Sequence, residues 1–184
     1  ALLTADVPAN YDYVAGRDAS LADGTFPIVL FSHGYSGMRL QSTFLTSHLA
    51  SWGMIVVAPD HWSRDLNHVL SAPVGDRESS IEELLASLDL VTAGNDDPAS
   101  LFQGHVDTSR IIALGHSAGG GTIVSTAKDD RVDGYISMAS GVIGMGGANA
   151  TTTAPPTFVN KPSFFIAGSV DAVVPVDTVT RPSF

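Results

Sequence analysis

Residues 110–122 read Arg-Ile-Ile-Ala-Leu-Gly-His-Ser-Ala-Gly-Gly-Gly-Thr. The run Arg110 to Leu114 is apolar and β-branched at its centre, the composition of a strand buried on both faces. Gly115 to Gly121 turns the chain, and Thr122–Lys128 reads as a helix. A strand before the turn and a helix after it give Gly115-His116-Ser117-Ala118-Gly119 the context in which a G-x-S-x-G pattern lifts a serine hydroxyl out of the backbone. Glycines stand on either side of Ser117 because so tight a turn has no room for side chains there. A helix N-terminus directly behind the serine favours developing negative charge. The competing reading is a glycine-rich strand-to-helix loop whose serine is incidental.

Working outward, four more segments resemble buried strands: Pro27–Phe31, Met54–Pro59, Val132–Met138 and Ser163–Ala167. Helical periodicity links them. Leu40, Phe44, Leu45, Leu49 and Trp52 recur at helix spacing and stop at Gly53. Ser79 and Ser80 followed by Glu82 and Glu83 predict a helix start. The stripe Ile81, Leu84, Leu85, Leu88 and Val91 follows, and Gly94-Asn95 ends it. Residues 60–65 and 66–78 read as loops, 139–160 as a flexible glycine-, alanine- and threonine-rich loop, and the first 25 residues as loop with weak strand character at Tyr11–Val14. Alternating buried strands and helices predict a doubly wound, mostly parallel α/β sheet in a single domain, residues 1–184.

Composition bounds the function. Nine Lys+Arg against nineteen Asp+Glu give a net charge of −10, which excludes the basic footprint of a nucleic-acid or anionic-membrane partner. The absence of cysteine removes thiolate metal sites, disulfides and a cysteine nucleophile. No apolar run approaches the ~20 residues of a membrane span. With 44% hydrophobic residues, the chain can bury a sizeable core.

Two further segments fit ester chemistry. His33-Gly34-Tyr35 follows the strand at 27–31. A tetrahedral oxyanion takes one N–H from such an early loop and one from the residue after the nucleophile, here Tyr35 and Ala118. Asp171, past the strand at 163–167, is placed to orient an imidazole, with a plain surface turn as the alternative. Asp177 reads as the cap of a following helix. Asp60, His61, Asp65 and His68 form the one loose metal candidate, which loop composition also explains.

The segments 29–35, 49–61, 106–111 and 115–122 together resemble the cutinase and polyester-hydrolase branch of the α/β-hydrolases, and also dienelactone-hydrolase-like and platelet-activating-factor-acetylhydrolase-like proteins. That resemblance implies cofactor-free ester hydrolysis through an acyl-enzyme. Ser117 would be the nucleophile, Asp171 the acid, and Tyr35 and Ala118 the oxyanion donors. His116 would line the acyl cleft, the substrate being a small or polymeric ester. Together with acidity and lack of cysteine, it leans towards an extracellular location; Asn149-Ala150-Thr151 fits a glycosylation sequon.

The chain departs from the pattern in two places. Polyester hydrolases carry an aromatic clamp residue where this chain has Met138-Ala139-Ser140-Gly141. In this fold the order is Ser, Asp, His, yet His33, His48, His61, His68, His105 and His116 all precede Ser117. The expectation is therefore a fold incomplete at both ends, with the histidine supplied by a continuation of the chain or a second polypeptide. The alternative is a catalytically inactive α/β-hydrolase-fold binding protein.

Overall fold

The computed structural model describes residues 15–71, 77–140 and 159–181. The described residues form five parallel strands: β1 Phe26–Ser32, β2 Ile55–Val57, β3 Val106–His116, β4 Gly134–Met138 and β5 Ser163–Ile166. They stand in the order β2-β1-β3-β4-β5. Helices α1 Thr43–Ser51, α2 Leu66–Ser71, α3 Arg77–Gly94 and α4 Ala118–Thr126 lie between them, and a single wide turn, Val176–Thr180, follows β5. The predicted doubly wound α/β architecture is the observed one. No described helix is long and apolar enough to cross a membrane.

Alternation along β1 divides the core. Ile28 and Leu30 face one side of the sheet, where Leu84, Leu88 and Val91 of α3 and Ile123 and Val124 of α4 complete a buried cluster. Val29 and Phe31 face the other side with Leu114, against Leu45 and Leu49 of α1. Each fully buried side chain of this kind stabilises by roughly 1.5–3 kcal/mol relative to its exposed state. Of the stripe predicted for α3, Leu84, Leu88 and Val91 are buried in the cluster with Ile28 and Leu30, while Ile81 and Leu85 are half-buried outside it. The one predicted for α1 packs on the core only through Leu45 and Leu49: the helix begins at Thr43, and Leu40, Phe44 and Trp52 are exposed.

Other boundaries move for local reasons. β3 begins at Val106 rather than Arg110, because Phe26 and Pro27 pair with Val106 and Asp107 before the register jumps to Ile28 opposite Ile111. The residues between form an irregularity closed by Asp107, which accepts from Ser109 N (2.9 Å), Ser109 Oγ (2.6 Å) and Arg110 Nε (2.5 Å). α4 begins at Ala118, immediately after the serine. α2 occupies part of the predicted loop 66–78; Asp65 starts it, its backbone carbonyl accepting from Val69 N (3.0 Å) and its carboxylate from His68 N (2.9 Å). α3 starts at Arg77, so Ser79 and Ser80 are not its cap; Ser80 is buried, with its hydroxyl 3.2 Å from that of Ser63. Pro175, not Asp177, precedes the turn at 176–180. Tyr11–Val14, most of the loop 139–160 and the sequon at 149–151 lie outside the described residues.

The strand order has one switch point. From β1 the chain goes outward to β2, then crosses back to β3 on the other side of β1. In open parallel sheets the crevice outside the carboxyl ends of the strands at such a point is the ordinary place for a ligand. Here those ends are Ser32 of β1 and His116 of β3.

Candidate active site

Ser117 occupies the turn between β3 and α4 with φ 54° and ψ −121°. That conformation is rare for a residue with a side chain and costs on the order of 1–3 kcal/mol, held only where surrounding structure over-determines it. The Ser117 N–H donates to Met138 O (2.9 Å), and its carbonyl accepts from Gly121 N (3.3 Å). The neighbouring glycines are required by close backbone approach. A Cβ on Gly115 would lie 2.5 Å from the Gly119 carbonyl carbon and closer still to its oxygen. A Cβ on Gly119 would lie 2.6 Å from His33 O, and one on Gly120 2.7 Å from Ser137 Oγ. The elbow is thus wedged between the ends of β1 and β4.

The loop after β1 comes up against the serine. A Cβ on Gly34 would sit 3.2 Å from both Ser117 Cβ and His116 Nδ1. Three of the four amides in this loop have acceptors: Gly34 N donates to Gln41 Oε1 (2.6 Å), Ser36 N to Arg64 O (2.9 Å) and Gly37 N to Gly34 O (3.1 Å). The fourth, Tyr35, has none among the described residues. Ala118 N–H, the first of α4, has none either. First-turn amides have no partner within their own helix.

Asp171 lies in a turn five residues past the end of β5, not at the strand end. Its Oδ1 accepts from Val173 N and Val174 N, both at 2.8 Å. Those amides, Val174 first, hold its carboxyl below the usual range, with His116 adding a smaller pull. Burial lowers His116 and the Asp171 charge partly restores it, so the two side chains sense each other. His116 Nδ1 is buried with no hydrogen-bond partner among the described residues. No described histidine hydrogen-bonds Ser117 Oγ.

The other histidines have different tasks. His33 Nε2 accepts the His61 N–H (2.9 Å), so the His33 proton sits on Nδ1 and goes to Gly34 O (2.7 Å). His61 is fully buried. Its Nδ1–H donates to Glu83 Oε2 (3.0 Å) and its Nε2 accepts from Ser32 Oγ (2.8 Å). Burial, reinforced by Arg64 and His33, drives its pKa down to about 2, making the contact with Glu83 a hydrogen bond from a neutral ring rather than an ion pair. Burial raises Glu83. His105 is bonded to Gly24 O (2.8 Å), and His68 lies on the Trp62 ring at 3.7 Å.

The loose metal candidate is not assembled. Asp60 pairs with Arg39 at 3.2 Å, Asp65 holds the start of α2, and His61 has both ring nitrogens engaged. Among the described residues no three His, Cys, Asp or Glu gather as for a metal ion. Sequence reasoning missed Ser32, His61, Arg64 and Glu83 as a unit. His61 and Arg64 read as loop polarity and Glu83 as a helix start. Only the fold brings them together beneath the loop that follows β1.

The chain is similar to known ester hydrolases. The chain is 28% identical over 169 residues to cutinase 2 of Thermobifida cellulosilytica, covering 88% of this chain and 54% of the relative. Against cutinase cut1 of Thermobifida fusca the identity is again 28%, over 88% of this chain and 44% of the relative. A bis(hydroxyethyl) terephthalate hydrolase of Streptomyces coelicolor is 33% identical over 109 residues, 59% of this chain and 31% of that protein. The chain therefore spans about half the length of the cutinases it matches. The PET hydrolase-like family model matches residues 16–184. With that match over most of its length and the strand order observed, the chain belongs to the PET hydrolase-like family of α/β-hydrolases.

Proposed function

We propose that the protein is a serine carboxylester hydrolase with Ser117 as nucleophile. The observation that carries this reading is the pairing of a strained, half-buried Ser117 with two acceptor-free amides, Tyr35 and Ala118, at the switch point of the sheet. Ser117 Oγ attacks the ester carbonyl carbon while a base takes its proton. The carbonyl oxygen becomes an oxyanion received by the two amides, each contributing about 3 kcal/mol in comparable hydrolases. Collapse expels the alcohol, which leaves with the base's proton, and the acyl group stays on Ser117. Water then attacks the acyl-enzyme through the same steps in reverse order, releasing the acid and restoring the hydroxyl. Asp171 orients the base and stabilises its cation. The base in this reading is a histidine outside these 184 residues, since none of the six internal ones bonds Ser117.

The substrate class is an ester. The relatives' names point to cutin and to bis(hydroxyethyl) terephthalate, whereas Ala139-Ser140 offers no aromatic platform after β4, which favours soluble esters over a polymer surface. An organophosphonate probe tests the proposal. It should label Ser117 in the longer protein containing this chain, and Ser117→Ala should remove both labelling and p-nitrophenyl ester turnover. Retained turnover in Ser117→Ala overturns the reading. The 184-residue chain alone should show only residual catalysis, ~10³–10⁴ over water. Equal rates from the chain and the longer protein would make an internal histidine the base.

A further inference from the structure

Arg64 lies in the loop after β2 with only 6% of its surface exposed. Burying a guanidinium is costly unless its donors are satisfied in good geometry. Its Nη2 donates to Ser32 Oγ (2.7 Å) and to His33 O (2.9 Å), at the end of β1 and the start of the oxyanion loop. Its Nη1 donates to Thr122 Oγ1 (2.8 Å) on α4, one turn beyond Ala118. Its own carbonyl accepts the Ser36 N–H (2.9 Å), on the far side of Tyr35. One residue thus grips the Tyr35 loop on both flanks and ties it to the helix that carries the second amide.

The geometry points to Arg64 as a positioning residue of the oxyanion site, an inference that rests on the serine-hydrolase reading above: the guanidinium fixes the spacing between the Tyr35 and Ala118 amides. Ser32, His61 and Glu83 brace it from behind. Ser32 Oγ accepts from Arg64 and donates to His61 Nε2, and His61 Nδ1–H donates to Glu83 on α3. This hydroxyl–imidazole–carboxylate chain has the connectivity of a catalytic triad but not its access. Ser32 and His61 are fully buried, and the Ser32 oxygen already faces a guanidinium. Its use is structural. A lysine would not replace Arg64, because a single ammonium cannot span acceptors on two elements as the planar fork does.

The test uses the longer protein containing this chain. Arg64→Lys should lower kcat for ester hydrolysis about 10- to 100-fold, the range expected for a misplacement of up to ~1 Å at the reacting centre. KM should stay within about two-fold, and the pH profile of kcat/KM should keep its shape, since the base is untouched. A boronic acid, whose tetrahedral Ser117 adduct places an oxygen between the two amides, should weaken by about the same factor as kcat/KM. Thr122→Val removes the acceptor on α4, together with the hydroxyl's own bond to Ala118 O (3.2 Å), and should move both quantities the same way by a few fold. It carries the measurement if Arg64→Lys does not fold. A folded variant with wild-type kcat and boronate affinity overturns the inference. So does a fall in kcat with unchanged boronate binding. If Ser117→Ala keeps full turnover, the hydrolase reading fails on its own. Amide exchange then decides the clamp separately: the Ser36 N–H should exchange at least ~10-fold faster in Arg64→Lys, and an unchanged rate overturns it.

Discussion

Gly119→Ala adds one methyl group at the tightest point of the fold. The new Cβ would stand 2.6 Å from the carbonyl oxygen of His33 and from the carbonyl carbon of Ser32, and nearer still to the Ser32 oxygen. Carbon–oxygen contacts settle at about 3.3 Å or more, so clearing the Ser32 oxygen requires the end of β1 and the start of α4 to separate by more than ~1 Å. Every clashing atom is backbone, so no side-chain rotation relieves it. Overpacking of this kind costs about 1–3 kcal/mol and sometimes more, and we expect the upper end, ~3 kcal/mol. For a chain of this size that lowers Tm by roughly 6–12 °C. The same displacement moves the Tyr35 loop away from Ala118, so kcat should fall about 100-fold beyond any loss of folded protein. Urea unfolding and ester turnover measure both. Gly16→Ala is the control, since its Cβ would meet only Ala19 Cβ at 3.4 Å. If Gly119→Ala matches Gly16→Ala within ~0.5 kcal/mol, the wedged elbow is wrong.

Stability should fall with acid. An unfolded chain protonates His61 near 6.5, whereas the folded one holds it neutral down to about 2. His33 and His116 shift the same way, so stability is fully present above 6.5 and is lost as pH falls, by about 2 kcal/mol from His61 alone between pH 7.5 and 5. The upward shift of Glu83 opposes this only near the carboxylate range. A urea midpoint that stays constant from pH 7.5 to 5 would contradict the buried neutral histidines. Leu84→Ala, at a fully buried site, should cost about 2–5 kcal/mol by urea unfolding. Leu90→Ala, with 73% exposure on the same helix, should stay within ~0.5 kcal/mol. Asp171→Asn keeps an oxygen for the Val173 and Val174 amides, so Tm should hold while kcat falls by up to ~10⁴, the effect of the equivalent change in another hydrolase. Wild-type kcat in Asp171→Asn would remove Asp171 from the mechanism.

Where residues act within a few positions of each other, the sequence was informative. The run at 27–31, the stripe Leu84, Leu88 and Val91, and the glycines around Ser117 each state their environment locally, and the fold uses them accordingly. What the sequence hid depends on distant partners. Helix α2 buries none of its residues and rests on the Asp65 cap, so no apolar period announces it. The early start of β3 depends on Phe26 pairing with Val106, eighty positions away. The Arg64 network was the least legible. A polar loop that faces water and one that is buried and hydrogen-bonded have the same composition, and Arg64 meets Thr122 across 58 positions. Leu40, Phe44 and Trp52 failed in the opposite sense: helix spacing marked them as core, but nothing among the described residues covers them.

Helix α4 shows why local preference and global fit part company at this site. Its sequence, Ala-Gly-Gly-Gly-Thr-Ile-Val-Ser-Thr, is among the poorest for a helix: three glycines alone cost about 3 kcal/mol relative to alanine, before the β-branched residues are counted. Yet seven of its nine residues are buried, so tertiary packing, not propensity, holds it. At Gly119 and Gly120 an added Cβ would strike the β1 carbonyls and the Ser137 and Ser140 side chains. The substitution that improves the helix in isolation therefore destabilises the protein. Such a sign reversal identifies positions where the chain has given up local stability to bring backbone groups together. Here the groups brought together are the two strand ends that flank Ser117.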